Sequence, residues 1–195
     1  MMENHLEIEF KNVLTKDEFI RLQQFLGVTE NDFFLQVNDY FDTDDFALKK
    51  AGCALRIRTK EGHMELTLKE PNDEGLLETN EPISEVERDL LLEHEVFPKG
   101  AIEKKLKSMQ ISLEKISHFG TLTTSRAEIP FYEGLLVLDK SFYLNKEDFE
   151  VEYEVTDPKA YKHITRMLTS LNIPVRKTEN KVQRFYNEWR KKRSV

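Results

Sequence analysis

The sequence predicts an α+β protein: a closed antiparallel β-barrel with charged residues lining its interior and helices packed outside. Two observations carry that prediction. Four strand-like stretches alternate between apolar and charged residues, and two Ser/Thr-x-x-Glu signals open helices between them. Successive side chains of a strand point to opposite faces, so each alternating stretch has one face to bury and one polar face. In the first, Leu6, Ile8 and Phe10 face one way and Glu7, Glu9 and Lys11 the other. Arg56 and Arg58 repeat the pattern, then Glu65, Thr67 and Lys69, and near the end Glu150, Glu152 and Glu154. Like charges gathered on single strands repel. A barrel turned inside out gives them work: apolar faces outward under helices, charged faces around a central channel.

The elements follow in order. Thr15-x-x-Glu18 is a capping box. It opens a helix to about residue 26 with Phe19, Ile20, Leu22, Phe25 and Leu26 as its apolar stripe. Residues 32–41 read as an aromatic-rich strand. Asp44 caps a short helical turn over 45–50, ended by Ala51-Gly52. Residues 53–59 and 63–69 form a hairpin around Lys60-Glu61-Gly62. Pro71-Asn72-Asp73-Glu74-Gly75 is a loop, and 76–80 a short strand carrying Glu78 inward. Ser84-x-x-Glu87 is a second capping box, opening a helix to about residue 93, and 99–107 form another. This helical block, about 83–108, is too short to hold its own core. It is predicted as an insertion packed over the barrel, within one domain spanning 1–195. Strands resume at 119–129, with Thr124, Arg126 and Glu128 on one face, at 135–143 through Asp139, and at 148–156. Pro158 suits the first turn of a helix to about residue 171. Thr178 is predicted to cap a last helix over 179–192. The basic end of that helix, Arg190, Lys191, Lys192 and Arg193, complements the helix dipole.

Composition bounds the function. The 195 residues can bury a sizeable single core. A net charge of −7 argues against nucleic acid as partner, because phosphate backbones require a basic face. An acidic protein can still hold an anion where its bases are gathered or where metal ions supply charge. The lone cysteine, Cys53, excludes an internal disulfide and reads as a packing residue suited to a reducing, cytoplasmic setting. No apolar run reaches transmembrane length, and the first residues lack the basic-then-apolar form of a signal peptide. No membrane partner is expected, and the oligomeric state is not predicted.

The charged faces suggest chemistry. The acids are Glu7, Glu9, Glu65, Glu78, Glu128, Asp139, Glu150, Glu152 and Glu154; the bases are Lys11, Arg56, Arg58, Lys69, Arg126, Lys181 and Arg184. In a purely structural reading the two sets neutralise each other. In a functional reading Arg and Lys grip phosphate oxygens and carboxylates hold a hard divalent cation. Few ligands other than a triphosphate would require so many bases at once. In the functional reading Glu7, Glu9, Glu150 and Glu152 crowd and repel without a metal, so neutralising one should leave metal-free stability equal or higher, whereas salt-bridged glutamates would give variants that melt lower.

The order Glu7-x-Glu9-x-Lys11, Arg56-x-Arg58, Lys69, Arg126, Asp139 and a late Glu-x-Glu resembles the CYTH superfamily, the triphosphate tunnel metalloenzymes, from Glu7 to about Arg184. The resemblance implies a divalent-metal-dependent hydrolase of triphosphates, foremost inorganic tripolyphosphate, that releases phosphate. Class IV adenylate cyclase, thiamine triphosphatase and a non-catalytic polyphosphate- or nucleotide-binding module are the alternatives. It implies Mg²⁺ or Mn²⁺ on Glu7, Glu9, Asp139, Glu150 and Glu152. Substrate falls to Lys11, Arg56, Arg58, Lys69, Arg126, Lys181 and Arg184, and catalysis to Lys11, Glu150 and Glu152. In the triple-Glu strand the pair could equally be Glu152 and Glu154. Glu65 and Glu78 are tunnel residues without an assigned role.

Other chemistries find no support. Neither GxxxxGK[ST] nor GxGxxG is present. The histidines at 5, 63, 94, 118 and 163 lack metal-ligand spacing, and no Ser or Cys sits in a strand-to-helix elbow.

Overall fold

The computed structural model describes residues 3–73 and 75–193, and side chains within 8–73 and 76–192. Its elements are β1 (Glu3–Leu14), α1 (Lys16–Leu26), β2 (Phe34–Thr43), α2 (Ala47–Lys50), β3 (Ala54–Lys60), β4 (His63–Asn72), β5 (Gly75–Pro82), α3 (Glu85–His94), α4 (Ala101–Ser108), β6 (Ile116–Phe131), β7 (Gly134–Tyr143), β8 (Lys146–Val155), α5 (Tyr161–Ser170) and α6 (Lys181–Arg193). The class is α+β, as the alternation predicts, with eight strands among the described residues.

The chain divides into two compact units, Met1–Glu7 with Gln36–Leu122, and Ile8–Leu35 with Thr123–Val195. In the first, residues 3–7 of β1 pair with β5, β5 with β4, β4 with β3 and β3 with β2, all antiparallel. Alternation sends Phe41, Leu55, Ile57, Leu66 and Leu68 to one face. There they meet Leu48 of α2, Leu91 of α3, and Ile102 and Leu106 of α4 in one buried cluster. The block predicted over 83–108 is therefore two helices lying on the apolar face of this sheet. Cys53 is buried in the same cluster, and burial pushes its thiol up to about 11.

In the second unit β6 pairs with β7, β7 with β8, and β8 with residues 8–14 of β1. Leu136, Leu138, Val151 and Tyr153 form the apolar face, covered by Phe19 and Leu22 of α1 and by Ile164 and Leu168 of α5. Both predicted capping boxes form. Thr15 Oγ1 accepts from Glu18 N at 3.3 Å while the Glu18 carboxylate accepts from Thr15 N at 2.8 Å, and Ser84 and Glu87 repeat the exchange.

The last helix corrects one expectation. It begins at Lys181, and its start is capped by Asn180, whose Oδ1 accepts from Gln183 N at 2.8 Å. Thr178 instead accepts from Val13 N at 3.0 Å, tying the segment before α6 to β1. Asn12 adds to that tie. It is fully buried, accepts from Arg176 N at 2.6 Å and donates to Pro174 O at 3.1 Å. Arg176 closes the joint with forked bonds to Glu18 at 2.7 and 2.8 Å.

Asn12→Ala strands a buried backbone acceptor and donor, each worth roughly 1–3 kcal/mol. Urea denaturation should show a loss of at least about 2 kcal/mol. The Glu18 side chain reads the same joint by pH. Arg176, opposed by burial and helped by Thr15, holds its carboxyl below the ordinary 4.5. A depressed carboxyl contributes stability that is present above pH 4.5 and lost as pH falls through the lowered value. Glu18→Gln should be less stable than the parent at pH 7, and its stability should fall less steeply below pH 4.5.

Candidate functional site

Each unit presents a polar face opposite its buried one. In the first, cross-strand register sets Asn38 beside Arg58 and Tyr40 beside Arg56. It then sets Arg56 beside Thr67, Arg58 beside Glu65, Lys69 beside Glu78 and Thr67 beside Asn80. Arg58 Nε donates to Asn38 Oδ1 at 3.1 Å. Glu78 ion-pairs with Lys69 and reaches Arg56 Nη2 at 3.9 Å. Arg56 is buried, at 8% exposure, yet keeps its charge, as guanidinium does in proteins. Arg56, Arg58 and Lys69 thus share one face, as predicted.

In the second unit the polar face is a ladder of acids and bases. Arg126 lies opposite Asp139, Asp139 opposite Glu150, and Lys11 opposite Glu152. Arg126 grips Asp139 through Nε at 2.8 Å and Nη2 at 2.6 Å, and reaches Glu152 at 2.9 Å. This forked pairing is the strong form of an Arg–carboxylate contact. Lys181, the first residue of α6, points its ammonium at the same acids. It pairs with Asp139 and lies 3.4 Å from Glu152 and 3.5 Å from Glu150. One turn on, Arg184 bonds Glu150 at 2.7 and 3.2 Å and Asp148 at 2.8 Å. Lys11 pairs with Glu9.

The electrostatics follow from burial and pairing. Burial opposes the charge on Lys181, but Asp139, Glu152 and Glu150 outweigh it and hold its pKa above the ordinary lysine value. Lys11 is raised the same way, burial being overcome by Glu9 and then Glu152. Both ammonium groups stay protonated at neutral pH. They can bind or stabilise negative charge, and neither can serve as a base.

The predicted residues are therefore distributed as follows. Arg56, Arg58 and Lys69 stand together in the first unit, with Glu65 and Glu78 beside them. Glu9, Lys11, Arg126, Asp139, Glu150, Glu152, Lys181 and Arg184 belong to the second. Glu150 and Glu152 bond to members of the Arg126–Lys181–Arg184 cluster, and Glu154, on the same face and opposite Glu9, adds to the negative charge around Arg126. Glu7 pairs by its backbone with Leu76, while its side chain lies outside the described residues. Glu128 shares the polar face of β6, one step from Arg126.

Sequence reading missed three contributors. Asp148 holds Arg184 and accepts from the Tyr143 hydroxyl at 2.9 Å; it belongs to the same alternating face as Glu150 and could have been named from that. Asn12 sits on the apolar face, where nothing but the fold announces it. Asp39 likewise lies on the apolar side, beside Thr121 at 2.7 Å, His118 at 3.5 Å and Arg88 at 3.6 Å. Burial opposes ionisation of Asp39, and bonds from His118 and Thr121 overcome it, so its carboxyl is held below its ordinary value.

The acids can be tested against a divalent cation. Among the described residues no three acid, His or Cys side chains stand ready to ligate one ion. The donor chemistry does fit: Asp139, Glu150 and Glu152 are hard oxygen donors, and they already gather around one cation, the Lys181 ammonium. An ion entering there must displace Lys181.

A CYTH domain model matches residues 5–186. The chain belongs to the CYTH domain family. A Bacillus subtilis (strain 168) protein named "Putative triphosphatase YjbK" is 49% identical over 97% of this chain and 99% of its own length. A crystal structure of a Bacillus halodurans protein, described as a putative adenylate cyclase, superposes with a TM-score of 0.89 at 46% identity, covering 94% of this chain and 98% of that one. A Hippeastrum structure, described as a putative adenylyl cyclase with dominant triphosphatase activity, shares the fold at a TM-score of 0.75 and 24% identity, over 93% of this chain and 96% of that one. No helix of this CYTH domain, among the described residues, is long and apolar enough to cross a membrane.

The pairing corrects the expectation that the acids merely repel. Glu150 meets both Arg184 and Lys181, and removing one partner of a buried pair leaves the other charge exposed to a low-dielectric setting. Glu150→Gln should melt below the parent in excess chelator. A loss of roughly 1–3 kcal/mol is expected, because Arg184 keeps Asp148 and Lys181 keeps Asp139.

Proposed function

We propose that this CYTH domain is a divalent-metal-dependent triphosphatase, acting foremost on inorganic tripolyphosphate and releasing orthophosphate. The observation that carries the proposal is near full-length identity of 49% to a relative named a triphosphatase. The two polar faces, one rich in phosphate-gripping bases and one in carboxylates, support it. The closed barrel with a charged interior, formed as a single domain over 1–195, is part of the proposal.

Lys11, Arg56, Arg58, Lys69 and Arg126 bind the phosphoryl oxygens, with Lys181 and Arg184 beside the terminal group. Arg supplies forked donors that fit an oxyanion, and fixed cations stabilise the charge that grows on the phosphoryl oxygens as the bridging bond breaks. Glu9, Asp139, Glu150 and Glu152, joined by Glu7, would hold Mg²⁺ or Mn²⁺. Such an ion, when bound, neutralises phosphate charge and makes water a better nucleophile. Water oxygen attacks the terminal phosphorus in line, the bridging oxygen departs with the diphosphate, and the water's proton passes to solvent or a carboxylate. Lys11, held protonated, contributes charge and a hydrogen bond at the phosphoryl group.

A second reading rests on the Bacillus halodurans relative at 46% identity. The same bases would hold ATP, and its ribose 3′-hydroxyl, in place of water, would attack the α-phosphate. Product analysis separates the two: orthophosphate from tripolyphosphate, or cyclic AMP and diphosphate from ATP.

The proposal is tested with tripolyphosphate, ATP and thiamine triphosphate, each with Mg²⁺, Mn²⁺ or excess chelator. Phosphate release from tripolyphosphate should vanish in chelator and return with the ion. Arg56→Ala and Arg58→Ala should each lower kcat/KM roughly tenfold to a hundredfold, the worth of a charge-assisted contact of about 1.5–3 kcal/mol. Full turnover in chelator, or unchanged kinetics in both variants, would contradict it.

A further inference from the structure

We infer that Thr67 and Asn80, standing beside Arg56 on the polar face of the first unit, are a neutral oxyanion-binding pair that contacts a phosphoryl oxygen of the substrate; this rests on the triphosphate reading above. The three residues form one row across three strands, Arg56 opposite Thr67 and Thr67 opposite Asn80. Directly opposed residues have Cβ atoms roughly 4.5–5.5 Å apart, so one bound oxygen can lie within reach of more than one of them.

Thr67 is fully buried, and its Oγ1 has no hydrogen-bond partner among the described residues. Asn80 Oδ1 is also buried and, among the described residues, unpartnered. A buried polar atom without a partner works against folding, and native proteins carry few. Two such atoms on neighbouring residues of one row are therefore not explained by the fold. Valine would fill the space of Thr67, match its strand preference and bury no hydroxyl. A hydroxyl kept at a cost to stability is accounted for by something that binds it.

The surroundings say what that is. Arg56 lies in the same row. Lys69 occupies the adjoining row on one side and Arg58 the row on the other. Glu78, the acid beside Lys69, is engaged by Lys69 and Arg56. A site between three cations, with Glu65 beside Arg58 as the other acid, whose unpartnered neutral atoms among the described residues are a hydroxyl and an amide oxygen suits an anionic oxygen once the amide turns. The Thr67 O–H donates directly. Rotation about χ2 of Asn80 exchanges its Oδ1 and Nδ2, so the amide can present N–H to the same group. Neutral donors fix the orientation of the phosphoryl group without adding charge, which arginines alone do not do.

Calorimetric titration of tripolyphosphate in excess chelator tests this without turnover. Thr67→Val keeps the shape and removes the hydroxyl; Thr67→Ser keeps the hydroxyl. Thr67→Val should bind about tenfold more weakly, Thr67→Ser close to the parent, and Thr67→Val should melt at or above the parent temperature. Equal affinity in Thr67→Val overturns the inference, and so does a clearly lower melting temperature, which would reveal an internal partner for the hydroxyl. Assay of the parent separates the two claims. If it binds tripolyphosphate but does not hydrolyse it with Mg²⁺ or Mn²⁺, the triphosphatase reading fails while the variants still decide the pair. A folded parent that binds no tripolyphosphate overturns both.

Discussion

A sheet face made of charges is stable only where each charge meets an opposite one, and in the second unit Lys181 supplies the meeting point. Its ammonium sits among Asp139, Glu150 and Glu152, three acids that would otherwise crowd on two adjacent strands. Removing ions from water is costly, and the cost is offset only by close, well-bonded partners. Arg126 and Arg184 complete that balance on either side. The segment before α6 matters for the same reason. Asn12, Thr178 and the Glu18–Arg176 fork fix residues 174–178 against β1, and α6 starts three residues later with Lys181 in place. A buried polar joint on the apolar face thus positions a charge on the polar one.

The same arrangement bears on function. A position that gathers three carboxylates around an ammonium offers hard oxygen donors to a metal ion, provided the lysine gives way. The bases of the first unit answer a different need. Arg56, Arg58 and Lys69 share a face with only Glu65 and Glu78 as acids among the described side chains of β3, β4 and β5. That excess of donors suits an anion. The division of labour between faces, acids for an ion and bases for phosphate, is what the proposed reaction requires.

Much of this was legible in the sequence, because strand alternation has a period of two and charged residues make the period visible. Leu55–Arg56–Ile57–Arg58 and Phe149–Glu150–Val151–Glu152 could be sorted into faces before any fold was known. Both capping boxes were equally plain, since such caps are local chemistry, whereas the helix at 101–108 has its first amides capped by the distant Glu81. The end of the chain was less so. Thr178 has the right residue type for a cap, but a long-range bond to Val13 claims it, and sequence does not reveal partners 165 residues away. Asn12 was invisible for a related reason: its place in the alternation marks it as apolar-facing, and only the chain passing at Pro174 and Arg176 explains a buried amide there. Glu150, Glu152 and Glu154 share one strand face, so periodicity alone does not select a pair among them.

On the proposed function, the acids and the bases on these faces bind different things. Titrating Mn²⁺ alone, and tripolyphosphate alone in chelator, into folded parent, Glu152→Gln and Arg56→Ala proteins tests it most directly. Glu152→Gln should lose affinity for Mn²⁺ while still binding tripolyphosphate, and Arg56→Ala should show the reverse. Equal loss of both ligands in both variants, or loss of neither, would contradict it.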